Sequence, residues 1–310
     1  MRTLRRRARK ALLRAARLRF VTHPPAGVIL GYHRVAADPS DPYENCVSPT
    51  AFRSQLAVLA RVARPVSLSA LLDEPHGGPG RVALTFDDGY ADFALAALPI
   101  LREFDVPATL FVVSGAIGRD EYWWDRLADL RGDIAGTPAF QALHDELSAL
   151  DPERREARLR EMTHRNGDSP AAPPVAGQDA RRPMTTSELR AVAREPLVEI
   201  GAHSRTHPRL ARLGERRLIG EIEGSGTDLA ELLGRPIPHF AYPHGSHSRR
   251  VRECVEAAGF AAACASTEDV VRAGELPLAL PRFWVPDIAG PEFETWLLER
   301  LPAGRRKSAT

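Results

Sequence analysis

Short apolar runs alternate with longer amphipathic stretches along most of this 310-residue chain. Runs of strand length lie at residues 27–33 (GVILGYH), 81–86 (RVALTF), 108–113 (ATLFVV), 197–203 (LVEIGAH), 239–242 (HFAY), 260–265 (FAAACA) and 280–285 (LPRFWV). Between them, residues 51–62, 93–104, 187–194, 216–233, 249–258 and 292–300 carry apolar side chains at helical spacing. A strand–helix unit repeated about seven times predicts a parallel sheet, open or closed into a barrel. Residues 119–183 break the rhythm. They read first as charged helix, then as a stretch rich in Pro, Ala and Gly (NGDSPAAPPVAGQDARRP), and so as an insertion ending in a loop.

Charge divides the chain further. The formal net charge is +2, but residues 2–19 carry nine basic side chains and no acid, which leaves the remainder at −7. The basic segment has no uncharged run longer than ALL, so it lacks the apolar centre of a signal peptide. As a helix it would gather Leu4, Ala8, Ala11, Leu12, Ala15 and Leu18 on one side, opposite its arginines. Two readings stay open: an interfacial helix on anionic lipid, or a solvated basic terminus. Nucleic-acid binding is not expected, because no recognition motif accompanies the arginines. Three cysteines (Cys46, Cys254 and Cys264) without CxxC spacing argue against a disulfide scaffold or a thiolate zinc site. They point, with the missing leader, to a cytoplasmic protein that is at most membrane-peripheral.

Candidate chemistry sits at the strand ends. The 81–86 run finishes in Asp87 and Asp88, adjacent like charges that call for a cation or a shared proton. The 197–203 run ends at His203, and HSRTH places His207 four residues on. In a parallel α/β fold the strand ends meet at one face. One carboxylate and two imidazoles would then form a three-ligand site with open positions, suited to a divalent metal such as Zn2+.

TFDDG, HSRTH, FAYPHG and LPRF, in this order, together resemble the polysaccharide deacetylases of the NodB-homology type, carbohydrate esterase family four. The resemblance runs from about Gly31, in GYHRV, to about Val285. It implies a distorted (β/α) barrel of about seven parallel strands, here with a helical insertion. Residues 26–300 would form the barrel, flanked by basic segments at 1–25 and 301–310. It implies Asp88, His203 and His207 as ligands of a divalent metal such as zinc, and Asp87 as the general base. The backbone N–H of His244 would serve as an oxyanion donor, with Gly245 allowing its loop to turn.

Two departures stand out. Ala241 occupies a position where many relatives carry an arginine that orients the base, and LPRFWV lacks the histidine that acts as general acid elsewhere. Arg282 is the expected substitute for the arginine, and His33 or His244 the expected proton donor. Tyr122, Trp123 and Trp124 read either as a platform for a sugar ring or as packing for the insertion. His144, His164 and His239 read as structural or solvent-facing. The implied activity is metal-dependent N-deacetylation of an N-acetylated sugar in a polysaccharide or surface-glycan precursor. A non-sugar amidase, a silent glycan-binding module and a membrane-surface adaptor are the alternatives.

Overall fold

The computed structural model describes residues 25–37, 41, 43–73, 80–165, 180–274 and 277–302. The basic segment at 2–19, most of the Pro/Ala/Gly-rich tail of the insertion and residues 303–310 therefore lie outside the described residues.

Seven parallel strands curl into a barrel, and each expected apolar run supplies one: β1 (Pro25–Tyr32), β2 (Arg81–Phe86), β3 (Ala108–Val112), β4 (Val198–Ala202), β5 (His239–Ala241), β6 (Ala262–Cys264) and β7 (Phe283–Trp284). From β1 to β6 they pair in chain order, with Leu30 beside Leu84, Leu84 beside Ala108, and Ala108 beside Val198. The segment holding β7 closes the ring. Leu280 bridges to Cys264 on β6, while Phe283 and Trp284 pair with Leu30 and Gly31 on β1. Every residue of β2 and β3 is buried, which is why these strands read as continuous apolar runs and not as alternating ones. Short pairings outside the expected set trim the barrel. Val271–Arg272 runs antiparallel to the start of β1, Arg64–Pro65 pairs with β2, and Arg34–Val35 pairs with Cys46–Val47.

Helices cover the outside. α1 (Pro49–Val62) starts at Ser48, whose hydroxyl accepts from the Ala51 N–H, and it buries Phe52, Leu56 and Leu59. α2 is Leu68–Asp73. After β2 a π-helical turn, Phe93–Ala97, leads into α3 (Leu98–Phe104), and Pro99 at the joint removes one N–H from the ladder. α4 (Trp123–Leu130), α5 (Pro138–Ala149) and α6 (Pro152–Arg165) form the insertion. They share a small core of Leu127, Phe140, Leu147, Leu159 and Met162, separate from the barrel's own. α7 (Thr186–Val192) begins with a reciprocal capping box between Thr185 and Glu188. α8 (Glu215–Leu233), α9 (Arg249–Ala257) and α10 (Gly290–Leu298) complete the layer. Among the described residues, no helix is long and apolar enough to cross a membrane.

Candidate metal and catalytic site

The C-terminal strand ends bring the singled-out residues together. Asp87 follows β2, and its N–H donates to the Tyr32 carbonyl at 2.9 Å, in continuation of the sheet. The backbone turns sharply at Asp88, which adopts φ 74. That conformation is costly for a residue with a Cβ and persists where the surroundings enforce it. Here the Asp88 carbonyl accepts from Val113 N–H (3.1 Å) and from the Tyr122 hydroxyl (2.9 Å). Ser204, His207 and His244 also have positive φ (60, 57 and 56), so four of the six such non-glycine residues among those described border one cavity or its loops.

His203 ends β4. Its Nδ1–H donates to the Ala241 carbonyl at 2.9 Å, which leaves the Nε2 lone pair facing the cavity. The loop that carries His207 is clamped from α8. Glu221 accepts from the N–H groups of Arg205 (3.0 Å) and Thr206 (2.8 Å), and the Ser204 hydroxyl accepts from the His207 N–H at 3.0 Å. Asp88 Oδ1 thus lies 3.4 Å from His207 Nε2 and 3.6 Å from His203 Nε2.

These three residues suit a divalent cation. All are buried, one ligand atom from each lies within 4.8 Å of the others, and Asp88 Oδ1 has no hydrogen-bond partner among the described residues. Burial and the neighbouring Asp87 push the Asp88 carboxyl well above its usual range, while burial drives both imidazoles down. A carboxylate that is costly to ionise, beside two imidazoles that are costly to protonate, is the set a cation satisfies in one step. One oxygen and two nitrogens would give a divalent metal three ligands and leave further positions open.

Asp87 has a different environment. Arg282, on the segment that closes the barrel, donates from Nη1 to Oδ1 at 2.7 Å and from Nη2 to Oδ2 at 2.8 Å. Its Nε–H is fixed on the Ala265 carbonyl at 3.0 Å, and its guanidinium carbon lies 4.7 Å from the centre of the Trp284 ring. Burial alone would raise Asp87, but the Arg282 charge, His203 and the Arg282 hydrogen bonds hold it at about 2. Ala241 is fully buried in β5, so a guanidinium reaches the base from β7's side of the ring and not from β5.

His33, just past β1, stacks on Trp284 with ring centres 4.5 Å apart and planes at 15°. That contact depends on Gly31, where a Cβ would meet the Trp284 ring at 2.7 Å. His33 lines the cavity with Asp87, Asp88, His203 and His207, and burial lowers its imidazole to about 4. His244 packs its ring 4.5 Å from that of His207, and its Nε2 is buried without a partner among the described residues. Burial, then His144 and Arg209, lowers it to about 3. Gly245 has φ 61 beside Ser266, whose atoms a Cβ would meet at 2.7 Å.

The insertion contributes more than expected. His144, read from sequence as structural or solvent-facing, lies in the cavity wall with its ring edge-on to His244 at 5.5 Å. Helical spacing shows which face of α5 is apolar but not where α5 docks, so no local signal marked this residue. Tyr122 and Trp124 are buried and pack the insertion onto the barrel. The Trp124 ring lies 4.6 Å from His207, and its indole N–H donates to Tyr90 Oη at 2.7 Å. Tyr90 in turn donates to Asp125 at 2.9 Å. Trp123 is half-buried under the Arg155 guanidinium, 4.5 Å from its ring centre.

This arrangement can be set against known proteins. The polysaccharide deacetylase family model matches residues 75–263, more than half the chain. The chain belongs to the polysaccharide deacetylase family. The barrel agrees with the family's fold. Among curated relatives, the poly-beta-1,6-N-acetyl-D-glucosamine N-deacetylase of Escherichia coli K12 is 36% identical over 86 residues, covering 26% of this chain and 13% of that protein. The putative polysaccharide deacetylase YxkH of Bacillus subtilis is 27% identical over 79 residues, covering 25% of this chain and 28% of its own. These matches span well under two thirds of the relatives' length. Among solved structures, the Streptococcus pyogenes deacetylase PplD in complex with acetate superposes with a TM-score of 0.62 at 18% identity, covering 90% of this chain and 100% of that one. IcaB from Ammonifex degensii gives 0.61 at 21% identity, covering 88% and 95%. At such identities the likeness is one of fold.

Proposed function

We propose that this deacetylase-family protein is a metal-dependent N-deacetylase that hydrolyses the acetamide of an N-acetylated hexosamine within a polysaccharide or its precursor. The observation that carries this reading is the pairing of two differently furnished carboxylates at one cavity floor. Asp88 has an unpartnered oxygen beside two imidazoles, and Asp87 is locked in a guanidinium fork. A divalent cation held by Asp88, His203 and His207 would supply Lewis acidity toward the acetamide carbonyl and lower the pKa of a water there.

The chain's own residues do the rest. Asp87 stays ionised at neutral pH and accepts the proton of the attacking water, and Arg282 fixes the plane in which its oxygens point. The His244 backbone N–H, in the tight turn before Gly245, is assigned as donor to the developing oxyanion. The leaving amine needs a proton, for which His33 is better placed than His244. Burial lowers both imidazoles, but at His33 the Asp87 charge opposes that drop, whereas the His244 ring is wedged between His207 and His144. The cavity walls are mainly aromatic and neutral polar, with Tyr43, Asn45, Gln141 and Trp284 among them, and the Arg209 guanidinium in the wall is paired with Asp145. Such walls suit an uncharged sugar. That favours a glycan over the non-sugar amidase reading, and the name of the Escherichia coli relative points to the same substrate class.

Acetate release from a panel of N-acetylated glycans, measured with chelator and with added zinc, tests the proposal. Release from N-acetylglucosamine polymers that chelator abolishes and zinc restores is the expected result. Release from simple acetamides but from no glycan would support the amidase instead.

A further inference from the structure

Deepening that reading, and resting on it, we infer that His144 is a substrate-contacting residue that hydrogen-bonds a hydroxyl of the sugar beside the reacting acetamide. It reaches the cavity from α5 of the insertion and shares that cavity with Asp87, Asp88 and His203. Its ring is held on three sides: edge-on to His244 at 5.5 Å, edge-on to Tyr43 at 5.8 Å, and 5.0 Å from Trp123. Its orientation is therefore set before any ligand arrives, as a specificity contact requires. Yet the buried Nδ1 has no hydrogen-bond partner among the described residues, and Asp145 Oδ1 lies 3.8 Å from it.

The chemistry indicates the kind of ligand. Burial, with Arg209 nearby, lowers His144 to about 4, so at neutral pH the imidazole offers one donor and one acceptor. Whichever role a ring nitrogen takes, a hydroxyl can match it, since a hydroxyl both donates and accepts. Arg209, the cation in the cavity wall, is already engaged by Asp145 at 2.7 Å and adds no free charge to attract a phosphate or carboxylate. Gln141, one turn earlier on α5, lines the same wall.

The insertion is also fastened to the reacting centre. The buried Arg155 donates to the carbonyls of Leu147 (2.9 Å) and Leu150 (3.2 Å) at the end of α5, and to that of Thr206 (3.2 Å), next to His207. One side chain thus sets the position of α5 relative to the His203–His207 loop. A sugar held by His144 is thereby held relative to Asp87.

The test compares two substitutions on two substrates. His144→Phe keeps a packed ring and removes both nitrogens, whereas His144→Gln restores a donor and an acceptor. The readout is kcat/KM on a β-linked N-acetylglucosamine pentamer divided by kcat/KM on 4-nitrophenyl acetate, with bound metal measured for each variant. For His144→Phe the ratio should fall about tenfold, mainly through KM on the pentamer, and His144→Gln should regain part of it. An unchanged ratio, or equal losses on both substrates, would overturn the inference and leave His144 as packing for His244. A wild-type protein that cleaves the ester but releases no acetate from the pentamer would instead sink the deacetylase reading, and this inference with it.

Discussion

Arg282 and Asp87 lie 195 residues apart in sequence, yet they form a two-pronged ion pair with bonds of 2.7 and 2.8 Å and neither side chain more than 3% exposed. A base carboxylate free to rotate would point at the water for only part of the time. The fork leaves it one orientation.

Arg282→Lys should therefore retain the bound metal but lower kcat on an N-acetylated oligosaccharide by about 10²-fold, the cost of misplacing a reacting group by about 1 Å. Lysine keeps the charge but not the planar pair of donors. Arg282→Met should in addition lower stability by about 3–5 kcal/mol, because Asp87 is then buried without its counter-charge. Turnover, metal content and a denaturant midpoint, measured on both variants, separate the effects. Normal turnover in Arg282→Lys would remove Arg282 from the site's machinery.

The adjacent aspartates should fail in different ways. Asp87→Asn should bind metal and lose about 10²–10⁴ in rate, the usual worth of a general base. Asp88→Asn, His203→Ala and His207→Ala should lose the metal while keeping the fold, since the barrel core lies below these strand ends. Metal titration with far-UV circular dichroism checks this. Equal metal affinity in Asp87→Asn and Asp88→Asn would end the division of roles.

What could be read in advance follows from the range of the forces involved. The apolar run at 81–86 became β2 without a shift of boundary, because a strand buried on both faces shows its whole length as apolar residues. That Asp88, His203 and His207 would meet was legible because Asp88 and His203 follow strand ends, which a parallel barrel gathers at one face, and His207 lies on the short loop four residues beyond His203. Arg282, next to β7, meets Asp87 for the same reason. His144 was not legible as a cavity residue. It reaches the cavity through the docking of α5, fixed by Arg155 and by the Asp145–Arg209 pair, contacts between residues distant in sequence. Tyr122 and Trp124 had two readings because an aromatic at an insertion boundary can face inward or outward. The Asp88 carbonyl and the His207 ring decided for inward.

The basic segment at 2–19 makes a separate claim. If it forms an interfacial helix, the full chain should sediment with vesicles containing anionic lipid and not with neutral ones. Raising salt from about 0.1 M toward 1 M should release it, because the Debye length falls from about 10 to 3 Å. A chain lacking residues 1–22 should stay in the supernatant and still release acetate. Equal partition of the full chain to both vesicle types would leave only a solvated terminus.

The last prediction concerns a buried charge away from the reacting centre. Asp92 is 1% exposed, and its Oδ2 accepts from Arg34 Nε–H at 2.8 Å. Burial raises its carboxyl to about 7, even though the Arg34 charge and hydrogen bond pull the other way. A carboxyl whose folded pKa is raised favours the fold fully below its unfolded value of about 4, and that contribution is lost as pH rises through the folded value. Removing Arg34 takes away the positive charge that opposes this rise and pushes the Asp92 pKa higher still. Arg34→Met should then cost about 3–5 kcal/mol at pH 8, where Asp92 has to ionise without its partner or hold a proton against the solvent. At pH 5 Asp92 is protonated in either protein, and the cost should shrink by more than about 1 kcal/mol. Denaturant unfolding of both proteins at the two pH values measures the difference. A cost that does not change with pH would mean that Asp92 is not the group left uncompensated.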